Sequence, residues 1–287
     1  MKNHIYVMPG GGPFSRFLQC GIQPLADMED FDNVFLTLSP FEETNNNDEY
    51  LQEAVGHIVR NRTLMEMYGI ERPYDHIMSY ALDQKTDQTY EYKGFLSVGI
   101  LYGALDNPNI ENSTRLNDYK RVLNKIHIKN EIKRRVDDLC KLVNINENTL
   151  GAHVRMTSMA VHQNFGRITH EDYCRAIDQE LETGNYNGLY VSTDNVESLV
   201  KMEKRYASII RYYPNMLRLP TEYIIDSWQW SWEYDMFFRK QFWQESFTEC
   251  MTLARCGGMV CRTSNFSNMA VVFSNTLKKI IRVTPSV

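Results

Sequence analysis

Apolar and polar positions follow two rhythms along the chain. Short apolar blocks rich in β-branched and aromatic residues occur at Ile5-Tyr-Val-Met8, Asn33-Val-Phe-Leu-Thr-Leu38, Gly188-Leu-Tyr-Val-Ser192 and Gly258-Met-Val-Cys261. Blocks of this length read as buried strands. Thr149-Leu-Gly-Ala-His-Val-Arg155 adds another strand, and Ala207 to Leu219 holds a further short one. Between them lie segments with helical spacing. Tyr50 to about Met67 carries Leu51, Ala54, Val55, Ile58 and Val59 on one side, and Leu116 to Val143 reads as one strongly helical stretch. Thr169-His-Glu-Asp172 has the form of an N-cap with an acidic first turn, opening a helix to about Leu181. Val196 to Tyr206, Asp235 to Arg255 and Ser267 to Leu277 complete the helical set, and Lys93 to Leu105 reads as a compact strand-and-turn region. Repeated strand–helix units predict a parallel sheet covered by helices, hence an α/β fold. The polar stretch Asn144-Ile-Asn-Glu-Asn148 marks a boundary, giving domains 1–145 and 146–287.

Composition narrows the class. The 287 residues are 43% hydrophobic and 12% aromatic, which is a core-forming sequence. A formal net charge of −5 argues against a surface that coats nucleic acid, so any phosphate recognition is local. The first apolar run is too short for a signal peptide and no stretch reaches membrane-span length, so the expectation is a cytoplasmic or otherwise intracellular protein. The six cysteines show neither CxxC pairs nor zinc-ligand spacing and read as reduced core thiols. The acceptor-like triplets at Asn61, Asn112 and Asn265 read as chance in that setting.

Candidate chemistry collects where the strands end. His153 and Arg155, two apart, share one face of their strand. An arginine there offers a planar charged fork for phosphate, and a histidine beside it can hydrogen-bond or carry a proton. Two further polar clusters follow strands: Ser192-Thr-Asp194 and Arg262-Thr-Ser-Asn-Phe-Ser267. A parallel sheet brings such ends onto one edge, so the three are expected to form a single site. Hydroxyls and N–H groups at a helix start can receive a diphosphate; plain helix capping is the competing reading for Thr263 to Ser267, as an Asx turn is for Asp194. Pro9-Gly-Gly-Gly-Pro13 follows the first strand and precedes helical spacing at Phe14, Phe17, Leu18 and Ile22. It matches neither a dinucleotide fingerprint nor a P-loop.

Gly-Ala-His-Val-Arg155, then Tyr-Val-Ser-Thr-Asp194, then Val-Cys-Arg-Thr-Ser-Asn-Phe-Ser-Asn-Met-Ala270 resembles, in order and spacing, the donor-binding half of the fucosyltransferase superfamily. The resemblance covers about Thr149 to Ser274 and extends loosely to Gly10-Gly-Gly-Pro-Phe-Ser-Arg16. It implies a GT-B-like architecture, two Rossmann-like α/β domains facing across a cleft. It also implies inverting, metal-independent transfer of a sugar, fucose from GDP-fucose, to a glycan hydroxyl. The nucleotide sugar is a co-substrate and no further cofactor is expected. By position, Arg155 would neutralise the leaving phosphate and His153 would support it, while Ser192 and Asp194 would lie at the donor, with Asp194 on base or ribose. Ser264, Asn265, Phe266 and Ser267 would hold the phosphates with Thr263 also at the donor, and Gly10, Gly11, Gly12 and Arg16 would line the cleft from the other domain. Two departures stand out: Met156-Thr-Ser158 follows Arg155 where the family often has Arg or Gly and then Asp, and the first loop lacks the family's Asn.

The residues suit that chemistry, because charge growing on a leaving diphosphate must be stabilised in the transition state. A metal-dependent design needs Asp-x-Asp at the end of a strand, and Asp30-Phe-Asp32 precedes its strand, so it reads as a surface turn. The general base would come from Glu42, Glu43, Asp75, His76, His162 or Asp235, which the sequence does not rank. Trp228, Trp230, Trp232 and Trp243 could stack on an acceptor sugar or fill a core. Competing functions are transfer from UDP-xylose or another UDP-sugar, a non-catalytic nucleotide- or glycan-binding module, and a phosphate-ester enzyme with His153 as nucleophile. The last lacks the expected second histidine and RHG-like turn.

Overall fold

The structure is a computed structural model that describes residues 3–7, 22, 26, 33–37, 90–95, 110–112, 114–126, 128, 130–156, 168–216, 218 and 236–285. The chain divides into two compact units, one of residues 1–107, 112–130 and 232–244, the other of residues 108–111, 131–231 and 245–287. In the first unit, β1 (Asn3–Val7) lies between β2 (Asn33–Thr37) and β3 (Tyr90–Phe95) in a parallel three-stranded sheet. Helix α1 (Leu116–Leu123) belongs to this unit and buries Tyr119 and Val122. The third strand starts earlier than the glycine-broken run at Lys93 suggested.

The helical stretch expected over Leu116 to Val143 is two helices, α1 and α2 (Asn130–Leu142). The break falls where Ile126 and Ile128, two apart and both 7% exposed, form isolated bridges. β-Branched residues with a period of two suit an extended backbone better than a helix. Within α2 the charged residues Glu131, Lys133, Arg134, Asp137 and Asp138 face solvent, and Ile132, Val136 and Leu139 are buried.

The second unit is built on five parallel strands in the order β6-β5-β4-β7-β8: β4 (Thr149–His153), β5 (Gly188–Ser192), β6 (Ile210–Arg211), β7 (Gly258–Cys261) and β8 (Lys279–Arg282). β4, β5 and β7 are buried throughout, which accounts for their near-continuous apolar runs. One face of β4 and β5 packs Leu150, Ala152, Leu189 and Val191 against Tyr173 and Ile177 of α3 (His170–Leu181) and Met202 and Tyr206 of α4 (Val196–Tyr206). The alternate face of β4 meets α5 (Met236–Leu253): a Cβ on Gly151 would stand 2.6 Å from Leu253 Cδ1 and 3.2 Å from Cys256 Sγ.

Capping chemistry sets two helix starts. Thr169 and Asp172 form a reciprocal capping box at α3, and Ser264 and Ser267 form another at α6 (Asn265–Phe273). The second box starts α6 two residues before the expected Ser267, and Ser274 ends it by accepting the N–H groups of Thr276 and Leu277. The helix therefore stops short of Leu277 and frees Lys279–Arg282 for β8, a strand the sequence pattern did not reveal. Among the described residues five cysteines are free and all but Cys140 are buried. No helix among them is long and apolar enough to cross a membrane.

Candidate functional site

The strand order itself selects a place for ligand. From β4 the chain winds outward through β5 and β6 on one side, then returns to lay β7 and β8 on the other. The crossover direction reverses between β4 and β7, and open α/β sheets bind ligands beyond the strand carboxyl ends at such a reversal. There the register pairs His153 with Ser192 on one flank and Cys261 on the other. Arg155 lies just past β4 and Arg262 just past β7, so the first and third polar clusters meet on one sheet edge.

His153 is 6% exposed and its ring stacks on Phe266 in the first turn of α6, with centroids 4.5 Å apart and planes at 25°. Its Nδ1 is buried without a hydrogen-bond partner among the described residues. Burial, with the positive charges of Arg155 and Arg282, pushes its pKa down to about 3. The ring is therefore neutral over the whole physiological range, with one nitrogen able to donate and the other to accept. Of the two roles open to it in the sequence, hydrogen bonding suits this environment and proton carriage does not.

Arg155 is half-buried, and its backbone N–H donates to the hydroxyl of Tyr173, 3.5 Å away. Tyr173 is fully buried, and that burial raises its phenol pKa well above the ordinary value. Arg262 is 5% exposed; burial draws its pKa below the ordinary arginine value, Tyr173 opposes this, and the like charge of Arg155 adds to it. Two guanidinium groups within electrostatic reach of each other thus stand at this sheet edge beside a buried neutral imidazole, with the Asp194 carboxylate nearby.

The Ser264 and Ser267 hydroxyls each accept from the other residue's backbone N–H. Ser264 Oγ accepts from Ser267 N at 3.1 Å, and Ser267 Oγ accepts from Ser264 N at 3.0 Å. Capping is thus present at this turn, and the two side chains are held at the start of α6 rather than in open solvent. Asn265 Oδ1 is buried with no hydrogen-bond partner among the described residues, and Thr263 is half-buried beside it.

The second polar cluster turns partly away. Ser192 Oγ donates to Glu249 Oε2 at 2.9 Å, and Glu249 pairs with Arg218 at 3.2 Å, the two side chains 3% and 6% exposed. Arg218 also donates to the carbonyls of Tyr213 and Met216, at 2.9 and 2.8 Å. Burial pushes the Glu249 carboxyl up to about 7, against the pull of Arg218 and the Ser192 hydrogen bond. Asp194, half-buried, lies within electrostatic reach of both Glu249 and Tyr173 and so stands between the two clusters.

Gly10, Gly11, Gly12, Arg16, Asp30 and Asp32 lie outside the described residues, as do Glu42, Glu43, Asp75, His76, His162 and Asp235. Trp228, Trp230, Trp232 and the side chain of Trp243 lie outside them too. Among the described residues there is no group of three or more His, Cys, Asp or Glu that could hold a metal ion. Sequence reasoning missed Tyr173, Arg218, Glu249 and Arg282. The first and third sit in helices where nothing marks them, and Arg282 lies on the unread strand. Arg262 was legible as part of its turn, and its position directly after a buried strand was the signal.

The architecture defines the class: the chain has a fucosyltransferase-like α/β fold. In particular, it superposes on the NodZ α1,6-fucosyltransferase soaked with GDP-fucose with a TM-score of 0.53 and 12% identity, covering 98% of this chain and 95% of that one. Selenomethionine NodZ from Bradyrhizobium gives a TM-score of 0.53 at 12% identity, covering 98% and 94%. NodZ co-crystallised with GDP gives 0.51 at 13%, covering 98% and 95%. No protein-family model matches the sequence, and no curated protein matches it.

Proposed function

We propose that this protein is a glycosyltransferase that uses a nucleotide sugar, with GDP-fucose as donor and a glycan hydroxyl as acceptor, by inverting, metal-independent transfer. The observation that carries the reading is the paired guanidinium groups of Arg155 and Arg262 beside neutral His153, where α6 begins at the strand-order reversal. A fold shared with a fucosyltransferase solved with GDP and with GDP-fucose supports it.

In the reaction the bond between the anomeric carbon and the β-phosphate oxygen breaks, and its electron pair stays on the diphosphate. Arg155 and Arg262 neutralise that charge as it grows, and the first turn of α6 adds its partial positive charge. The acceptor oxygen forms the new bond from the opposite face, which inverts the anomeric centre, and its proton passes to a carboxylate or histidine base. His153 keeps its neutral state and hydrogen-bonds the donor. Removal of one such positioned charge costs roughly 10²- to 10³-fold in turnover. Arg155→Ala is therefore expected to lower fucose transfer by about that factor with a melting temperature close to wild type. The check is mass-spectrometric detection of the glycosylated acceptor across a panel of GDP- and UDP-sugars, and a near-wild-type rate for the variant would reject the role. A binding module without turnover is the second reading, favoured by Met156-Thr-Ser158 after Arg155. Saturable donor binding with neither transfer nor donor hydrolysis would select it.

A further inference from the structure

We propose that Arg282, locked by Glu111, is a positioning residue that sets the hydroxyl of Ser264 as a donor to the diphosphate; this rests on the nucleotide-sugar reading above. Arg282 closes β8, and every one of its five donors has an acceptor. Nε donates to Glu111 Oε1 at 2.7 Å and Nη2 donates to Glu111 Oε2, a bidentate fork. Nη2 also reaches Asn268 Oδ1 at 3.0 Å, while Nη1 reaches Cys261 Sγ at 3.3 Å and Ser267 Oγ at 3.1 Å. One guanidinium thus ties the end of β7 and the first turn of α6 to the 3-10 segment Ile110–Asn112.

The consequence lies in the hydroxyl count at Ser267. Its single proton goes to the carbonyl of Arg262 at 2.8 Å, or to that of Ser264 at 3.0 Å. Its two lone pairs accept from Ser264 N and from Arg282 Nη1. Ser267 Oγ is therefore full and cannot also accept the proton of Ser264 Oγ, although the two oxygens stand 3.1 Å apart. Ser264 Oγ already accepts from Ser267 N, so its proton is directed out of the capping box. Without the Arg282 fork, Ser267 regains a lone pair, the Ser264 proton turns inward, and the donor is withdrawn. A second feature points to a ligand at the same turn: His153, 6% exposed, stacks on Phe266 with Nδ1 lacking a partner among the described residues.

The test is calorimetric titration of the full chain with inorganic pyrophosphate, GDP and guanosine. Arg282→Lys keeps the charge but cannot span the five acceptors, and it is expected to weaken pyrophosphate and GDP about tenfold and leave guanosine unchanged. In a Ser264→Ala background the same substitution should have no further effect, because Arg282 acts through that hydroxyl. Glu111→Gln loosens the fork with the arginine in place; it should show the same selective loss and provides the readout if Arg282→Lys does not fold. Equal losses for GDP and guanosine, or full additivity with Ser264→Ala, would overturn the positioning role while nucleotide binding stands. A wild-type chain that binds none of the three probes would overturn the nucleotide-sugar reading and this inference together.

Discussion

Glu249 shows how a single side chain can be both anchor and liability. It joins α5 to the end of β5 through Ser192 and to the Tyr213–Met216 segment through Arg218, yet burial holds its carboxyl at about 7. Desolvation outweighs the ion pair, as is common when both partners leave water. The folded-state pKa lies above the ordinary carboxyl value of 4.5, so folding favours the protonated form. That contribution is complete below pH 4.5 and is lost as pH rises through 7. Wild-type protein is expected to lose about 2 kcal/mol more stability than Glu249→Gln between pH 5 and 8, since glutamine keeps an acceptor for Ser192 without titrating. Urea unfolding at both pH values measures this, and equal slopes for the two proteins would dismiss it. His153 is the contrasting case. Its pKa of about 3 lies below any working pH, so it contributes no pH dependence to binding or transfer near neutrality.

At the scale of elements, glycines report where backbones cross. Gly257, just before β7, donates its N–H to Thr149 O and accepts from Lys278 N, and an added Cβ would sit 1.8 Å from the carbonyl oxygen of Glu147. That neighbour is backbone and cannot rotate aside. Gly184 differs, with φ of +71° and nothing within 4 Å of an added Cβ. Gly257→Ala should cost more than about 3 kcal/mol and Gly184→Ala only about 1 kcal/mol, the cost of a left-handed conformation. Thermal denaturation of the pair checks the order, and a reversed order would show that β7 can shift without loss. The same logic explains β8. It forms because Ser274 stops α6, and its Arg282 then reaches the helix start from the neighbouring strand.

At the scale of the molecule, the two units carry separate parallel sheets, and the strand order of the second gathers Arg155, Arg262 and the start of α6 on one edge. In the proposed transfer, charge on the leaving group would be met by arginine and backbone dipole. EDTA is accordingly expected to leave transfer unchanged, and a strict requirement for a divalent ion would reject the metal-independent mechanism. A nucleotide at 100 times its dissociation constant should stabilise the fold by about 2.7 kcal/mol, visible as an upward shift in melting temperature.

Much of this was open to inspection in the primary structure. Strands β4, β5 and β7 were legible because burial on both faces leaves nearly unbroken apolar runs, and α3 because Thr169 and Asp172 advertise their capping box. His153, Arg155 and the Arg262–Ser267 turn stood out as polar residues directly after such runs. Hidden were the members whose meaning comes from partners distant in sequence. Glu249 finds Ser192 across 57 residues and Arg282 finds Glu111 across 171. Local pattern encodes which residues are buried and which backbone segments are periodic. Which buried charge meets which, and which hydroxyl keeps a proton to give, is decided only when strands from different parts of the chain are laid side by side, because those energies depend on distance and not on sequence separation.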